Sequence, residues 1–152
     1  MNKASEQFWL DFCETSGTDL QTPYQVWYFG NTSEMARELA ELVISGKKTA
    51  TASLVEFNET HYESAPIENG FSVVTDFEGS PLCIIQTTEI RHLPFNEVDA
   101  KFAFDEGEGD QTLEYWREIH RRYFTKEAKE FNLEFDENSP ICCERFRLLF
   151  SK

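Results

Sequence analysis

The segment Gly46–Ser53 (GKKTATAS) places two lysines close to three hydroxyl side chains. Its polar residues are Lys47, Lys48, Thr49, Thr51 and Ser53. A lysine beside hydroxyl groups can activate a nucleophile or grip a phosphate. The same residues also have an ordinary explanation, since lysines after a helix complement its negative end and threonine is common on strands. The residue types therefore make this segment a candidate site and leave both interpretations open.

A helix is predicted immediately before the two lysines. Its apolar residues recur at the spacing of one helix face, as Met35, Leu39, Leu42 and Val43. Asn31 is the predicted N-cap, with Glu34 three residues later at the capping-box position. Gly46 suits the C-terminal stop. We therefore expect a helix over about 32–45 that ends at the lysines.

A strand is predicted immediately after the lysines, over 49–57. Thr49, Thr51 and Ser53 alternate with small apolar residues, which on a strand places the three hydroxyls on one face. Lys48 and Thr51 lie on opposite sides of the helix-to-strand turn, so they converge only if the backbone bends there. Because Lys48 follows the helix stop and belongs to no apolar stripe, Lys48→Ala is expected to leave folding almost intact.

The rest of the chain predicts an α+β fold with a mixed or antiparallel sheet. Further strands are expected over 24–30, 71–77, 82–90 and 141–150, with a hairpin turn at 78–81. Helices are expected over 5–13 and from Asp110 or Thr112 to about 130, whereas 58–70 reads as a polar loop and 91–104 has no clear pattern. Strands without regular βαβ alternation favour this class.

Composition and charge limit the function classes. The 152 residues, 40% of them hydrophobic, are expected to form one cytoplasmic domain, because neither a signal peptide nor a membrane span is apparent. Cysteines at 13, 83, 142 and 143 are expected in the core, and no metal or cofactor is expected, since no ligand set has usable spacing. The net charge of −14 disfavours extended RNA binding and makes a small nucleoside-like ligand easier to accept.

Three motifs, in this order, resemble the ASCH domain family, a relative of the PUA RNA-binding domains. The family motif G-x-K-x-x-T matches Gly46, Lys48 and Thr51. The second match, Phe102–Tyr123 (FAFDEGEGDQTLEYWREIHRRY), resembles a longer bacterial subgroup, and the third is the terminal strand Cys142–Phe150 (CCERFRLLF). The resemblance implies a small PUA-like β-barrel flanked by helices, in a single domain over 1–152 with an N-terminal helical extension over about 1–23.

The resemblance also implies a reaction. Some small members of the family are amidohydrolases that deacetylate N4-acetylcytidine with a Lys, a Thr and a Glu. Matched by motif, these are Lys48, Thr51 and an acid of the loop 105–110, which we assign to Glu108, with Glu106 as the alternative. The lysine is the base if burial lowers its pKa from about 10.4 toward neutrality. Otherwise a glutamate holds the lysine charged and itself acts as base on water, and the sequence leaves both arrangements open.

Further residues are candidates for substrate binding: Lys47, Thr49, Ser53, Glu106, Trp116, His120, Tyr123 and Arg145. Trp116 or Tyr123 could stack on a pyrimidine, although both also fit a core. His120 lies on the same helical stripe, as a core or cleft-lining residue, and Arg145 either faces the ligand or pairs with a surface acid. Two other functions stay open, a non-catalytic PUA-like module that binds RNA or regulates translation, and a ribonuclease.

Overall fold

A computed structural model of the chain describes residues 2–151. Its elements are α1 (Lys3–Ser16), β1 (Tyr24–Trp27), α2 (Ser33–Ile44), β2 (Ala50–Leu54), α3 (Val55–Thr60), β3 (Phe71–Thr75), β4 (Pro81–Pro94), α4 (Ala100–Glu106), α5 (Leu113–Glu130) and β5 (Pro140–Ser151), with 3₁₀ turns at Tyr62–Ser64 and Phe95–Glu97. Within this range no helix is both long enough and apolar enough to cross a membrane.

The five strands form one mixed sheet in the order β1-β3-β4-β5-β2. β1 pairs with β3 in parallel, and the other neighbours are antiparallel. This confirms the predicted α+β class and the predicted hairpin between β3 and β4. Between residues 2 and 151 no strand pairing joins β1 to β2, so hydrogen bonds do not close the sheet into a complete barrel. Residues of both edge strands nevertheless line one cavity, so the sheet curves enough to bring its two edges together.

Helices cover both faces of the curved sheet. α1 packs Phe8, Trp9 and Phe12 against β3 and β4. On the opposite face, Ala40 and Val43 of α2 pack in a cluster with Val74, Ile85 and Phe146. Trp116 and Phe124 of α5 pack with buried residues of β2 and β5. The four cysteines are free and buried, as predicted. The site residues therefore lie on elements that are fixed by packing.

Local predictions were wrong at several boundaries. The N-cap of α2 is Thr32 and not Asn31, because the Thr32 hydroxyl accepts the amide of Met35. β2 ends at Leu54, and α3 replaces both the predicted strand end at 55–57 and the start of the predicted polar loop at 58–60. Phe57 explains that change, since it packs against the core from a helical position and its ring stacks on His61 with centroids 4.1 Å apart. Tertiary contacts outweigh the strand pattern here. The unassigned 91–104 continues β4 and then forms α4.

Candidate functional site

Lys48 lies in the interior of the protein, at the bend between α2 and β2. Gly46, with φ of 86°, reverses the chain after the helix, and the Lys48 amide donates to the carbonyl of Leu42 at 3.0 Å. The next amide, Thr49, donates to Asp105 at 2.8 Å, which ties the bend to the end of α4. Lys48 is only 1% exposed. The expectation of a dispensable lysine at a helix end was therefore wrong in its premise.

The Lys48 ammonium belongs to an ion cluster formed by Lys48, Glu106, Glu108 and His120. Its Nζ lies 2.9 Å from Glu106 Oε1, 2.9 Å from Glu108 Oε2 and 3.4 Å from the Glu106 carbonyl oxygen. The other oxygen of Glu106, Oε2, accepts the indole N–H of Trp116 and lies 3.2 Å from His120 Nε2. Both candidate acids from the sequence, Glu108 and its alternative Glu106, are therefore paired with Lys48.

The hydrogen-bond partners of His120 favour its charged form within this cluster. Its Nδ1 lies 2.8 Å from the carbonyl oxygen of Trp116, and because a carbonyl oxygen only accepts, Nδ1 must carry a hydrogen. Nε2 faces a carboxylate oxygen, so a hydrogen bond there requires a second ring proton. Burial by itself would lower the pKa of His120, but Glu106, Glu108 and the Trp116 carbonyl together outweigh burial and raise the pKa. Two cations thus balance two carboxylates.

The same balance sets the charge of Lys48. Burial by itself would lower the pKa of Lys48, but Glu106 and Glu108 outweigh that effect and hold the pKa above its ordinary value. Glu106 shows the converse, because Lys48 and His120 overcome burial and lower its pKa. Burial raises the pKa of Glu108, and the neighbouring Glu106 adds to that rise. The geometry therefore favours a charged lysine over a neutral lysine base.

Gly107 allows the two glutamates to approach Lys48 from one loop. It ends α4 with φ of 72°, in the left-handed region that glycine adopts without strain. A Cβ at this position would lie 2.4 Å from the carbonyl oxygen of Lys47 and 3.1 Å from the Cα of Lys48. A glycine is thus required at position 107, where the loop passes close to the backbone of Lys47 and Lys48.

Glu106, Glu108 and His120 could in principle hold a metal ion, since their donor atoms lie within 4.8 Å of one another. The Lys48 ammonium already lies 2.9 Å from both carboxylates, and a doubly protonated His120 has no lone pair to donate. The cluster therefore suits an internal ammonium better than a metal cation.

A cavity of about 540 Å³ opens between the two edge strands, and we call it the edge cavity. Its volume falls within the roughly 300–1,000 Å³ typical of small-molecule sites. Its aromatic lining residues are Trp27, Tyr28, Phe29, Phe57 and Tyr123. Its polar side chains include Gln25, Thr51, Ser53, Asn58, Glu127 and Glu144. Aromatic walls with a few polar groups are typical of a site for a planar, hydrogen-bonding ligand.

Thr51 and Ser53 both line the edge cavity, on the face of β2 opposite the buried Ala50 and Leu54. This confirms the predicted alternation. The Ser53 hydroxyl accepts from Asn58 at 2.9 Å, whereas the Thr51 hydroxyl has no hydrogen-bond partner among the described residues. Thr51 therefore offers a free hydroxyl to a ligand.

Lys48 does not line the edge cavity but lies behind its wall. Its Nζ is 5.5 Å from the ring centroid of Phe29, and that ring does line the cavity. The structure therefore separates the lysine and the threonine of the G-x-K-x-x-T motif. Thr51 is in the cavity, and Lys48 is in the ion cluster beside it.

Glu144 is a cavity residue that sequence reasoning missed. It lies on β5 directly opposite Thr51 in the antiparallel pairing with β2, and it is only 5% exposed. Its Oε2 accepts the Thr87 hydroxyl at 2.6 Å. Burial raises the pKa of Glu144 to about 7. The sequence did carry a signal, because Glu144 lies on the same strand face as the apolar Cys142 and Phe146.

The other sequence candidates divide between the cavity and elsewhere. Tyr123 lines the cavity, whereas Trp116 is 2% exposed, stacked between Phe95 and His120. Lys47 and Thr49 are exposed at the bend. Arg145 takes the second of its two alternatives, pairing with Asp105 at 2.5 Å and with Glu89 at 3.7 Å, away from the cavity.

Comparison with known proteins agrees with this fold. The model of the ASCH domain family matches residues 25–149. A crystal structure of an ASCH domain from Lactobacillus crispatus JV V101 is similar over 98% of this chain and 96% of its own, with 30% identity and a TM-score of 0.89. A protein from Enterococcus faecalis V583 is similar over 97% of this chain and 89% of its own, with 36% identity and a TM-score of 0.86. No curated protein matches the chain.

The family match spans the bend at Lys48, the loop at Glu106 and the strand at Glu144. It thus includes every residue of the ion cluster and of the edge cavity. The fold, the order of the motifs and the structural neighbours agree, and the chain belongs to the ASCH domain family, which has the PUA-like fold.

Proposed function

We propose that this protein is an amidohydrolase that removes the acyl group from N4-acylated cytidine in the edge cavity. The observation that carries the proposal is the Thr51 hydroxyl, free of a partner among the described residues, at the wall of a cavity of about 540 Å³. The family resemblance supplies the reaction, and the cavity supplies room for a nucleoside.

Thr51 is the nucleophile in this proposal. A hydroxyl attacks an amide carbonyl once a base takes its proton, and it leaves an acyl ester that water can hydrolyse. Thr51 lies on a strand that is paired along its whole length with β5, so its backbone is fixed before a ligand enters. Such positioning lowers the entropic cost of the reaction.

Lys48 acts as a fixed charge in this proposal and not as the base. Its ammonium makes its closest contacts with Glu106 and Glu108, and the pKa of Lys48 is raised by these two carboxylates. Because the ammonium offsets the charge of these carboxylates, the cluster behind Phe29 adds little negative charge near the oxyanion that develops on the acyl oxygen. Glu108, the acid assigned by motif, then contributes by holding that charge in place.

The charge of the edge cavity favours a nucleoside over a nucleotide or RNA. Its acidic lining residues are Glu127 and Glu144, and no Lys, Arg or His of the described residues lines it. A phosphate would therefore meet carboxylates and no cation. Together with the net charge of −14, this argues against a ribonuclease and against an RNA-binding module.

Two substrates of the same base test the proposal. The purified protein is incubated with N4-acetylcytidine and, separately, with its 5′-monophosphate, and cytidine release is followed by chromatography. We expect turnover of the nucleoside and slower turnover of the nucleotide. Binding of long RNA at about 150 mM salt, measured in parallel, should be weak.

Two outcomes would overturn the proposal. One is the absence of turnover with N4-acetylcytidine and with related N4-acylated cytidines. The other is tight RNA binding that weakens steeply with salt, which would favour the non-catalytic module.

A further inference from the structure

Two reactive groups face each other across adjacent strands in the edge cavity. Thr51 and Glu144 are directly opposite in the pairing of β2 with β5. Directly opposite residues of an antiparallel pair have Cβ atoms about 4.5–5.5 Å apart on one face of the sheet. Both side chains line the cavity, so they point to the same side and meet the same ligand.

The Glu144 carboxylate is fixed by one oxygen and available through the other. Oε2 accepts the Thr87 hydroxyl at 2.6 Å, and Thr87 lies on the neighbouring strand β4 and is itself buried. Oε1 has no hydrogen-bond partner among the described residues. A carboxylate held in this way keeps its orientation and has one oxygen free to take a proton.

We propose that Glu144 is the catalytic base of the reaction, taking the proton of Thr51 and returning it to the leaving nitrogen. The inference rests on the proposed hydrolysis of N4-acylated cytidine. It assigns the proton transfer to a residue of the last strand and not to the acids of the loop after α4.

The other candidate bases are less suited to this role. Glu106 and Glu108 are paired with Lys48 and do not line the cavity. Glu127 lines the cavity but lies on α5, next to Tyr123, and not opposite Thr51. Lys48, the charged group that acts on Glu144 from behind the wall, favours the ionised form that a base needs.

The reaction balances with water as the only co-reactant. The Glu144 carboxylate takes the proton of the Thr51 hydroxyl while that oxygen bonds to the acyl carbon and the carbonyl π electrons move onto the acyl oxygen. Collapse of this intermediate breaks the bond to N4, and Glu144 returns its proton to the departing nitrogen. Cytidine leaves, and the acyl group remains as an ester on Thr51.

Water then completes the cycle. It attacks the ester carbon and gives a proton to Glu144, and the bond to Thr51 breaks as that proton passes to the Thr51 oxygen. A carboxylic acid leaves, and both residues regain their starting state. The pKa of Glu144, raised by burial to about 7, suits a group that takes and returns a proton near neutral pH.

The test compares Glu144→Gln with the wild-type protein on N4-acetylcytidine. Glutamine keeps the size of the side chain and still accepts from Thr87, so cytidine binding, measured by calorimetry, should stay within about threefold. We expect kcat to fall roughly 100-fold or more, the range of a lost general base. Glu118→Gln, at an exposed position of α5 away from the cavity, is the matched control and should leave kcat unchanged.

The pH profile supplies a readout that a merely structural role would not give. In the wild-type protein, kcat/KM should rise with pH through a midpoint near 7, because only ionised Glu144 is a base. In Glu144→Gln this rise of kcat/KM with pH, the acidic limb of the profile, should be absent. Thr87→Val removes a hydrogen bond that lowers the pKa of Glu144, so its midpoint should move to higher pH.

The outcomes separate this inference from the proposed function. Wild-type turnover with a Glu144→Gln variant that keeps its kcat and its pH limb would overturn the role of Glu144 and leave the hydrolase intact. Absence of wild-type turnover would overturn both. Loss of the limb together with a fall in kcat and preserved cytidine binding would support the inference.

Discussion

The ion cluster and the edge cavity both bury a glutamate, and they treat it in opposite ways. Glu106, 1% exposed, receives Lys48, Trp116 and His120, and its pKa is lowered. Glu144, 5% exposed, receives one hydroxyl, and burial raises its pKa to about 7. A buried carboxylate therefore stays ionised where cations surround it and exchanges a proton near neutrality where they do not. This difference separates a structural acid from a chemically available one within one small fold.

The largest expected effect is the loss of the central cation. Lys48→Met keeps the length of the side chain but leaves Glu106 and Glu108 without their ammonium. Removing one partner of a buried ion pair costs about 3–5 kcal/mol, so the free energy of unfolding at pH 7 should fall by that amount in urea titrations.

Lys47→Met is the matched control, because Lys47 is exposed on the other side of the same bend. Its effect should stay within about 0.5 kcal/mol. Equal stability of Lys48→Met and Lys47→Met would show that the ion cluster contributes nothing to the stability of the fold.

The second expected effect is a pH dependence of stability that comes from Glu144 in the edge cavity. Because the folded pKa of Glu144, about 7, lies above its value of 4.5 in the unfolded chain, the folded state holds the proton more tightly. Stability is therefore lost as pH rises through this window, by roughly 3 kcal/mol in total at about 1.36 kcal/mol per pKa unit.

Glu144→Gln lacks this titration, so it should be more stable relative to wild type at pH 8 than at pH 5. Thermal unfolding of both proteins at the two pH values measures the difference. If the stability difference between the two proteins is the same at pH 5 and pH 8, Glu144 does not change its charge in this range, which would contradict the expected titration.

A smaller effect tests the loop that brings the glutamates together. Gly107→Ala and Gly46→Ala both place a side chain at a positive φ, which costs about 1–2 kcal/mol. Only at Gly107 would the new Cβ meet backbone, at 2.4 Å, whereas nothing lies within 4 Å at Gly46. Gly107→Ala should therefore be about 1–3 kcal/mol less stable than Gly46→Ala in urea titrations. Equal losses would indicate that the loop shifts without disturbing Lys48.

Local patterns predicted much of the frame of the site. The apolar spacing of α2 and the alternation of β2 placed the bend at Lys48 and put Thr51 and Ser53 on one strand face. These features depend on residues that are close in sequence, so the periodicity of a helix or a strand is enough to predict them.

The partners in the site could not be read from such patterns, because they are distant in the chain. Lys48 is buried by Glu106, 58 residues away, and in sequence it looks like an ordinary lysine after a helix. Glu144 lies opposite Thr51 only because β5 pairs with β2, the edge strand of the sheet. Strand order and the curvature that brings β1 to the cavity are properties of the whole fold.

In the proposed reaction the Thr51 hydroxyl attacks the acylated nucleoside. This attack is tested most directly by kcat/KM for N4-acetylcytidine in Thr51→Val, which keeps the branched shape, and in Thr51→Ser, which keeps the hydroxyl. Thr88→Val, an exposed threonine on β4, is the control. We expect a loss of roughly 100-fold or more for Thr51→Val, activity within about tenfold of wild type for Thr51→Ser, and no change for Thr88→Val. Full activity of a stably folded Thr51→Val would contradict the attack by Thr51.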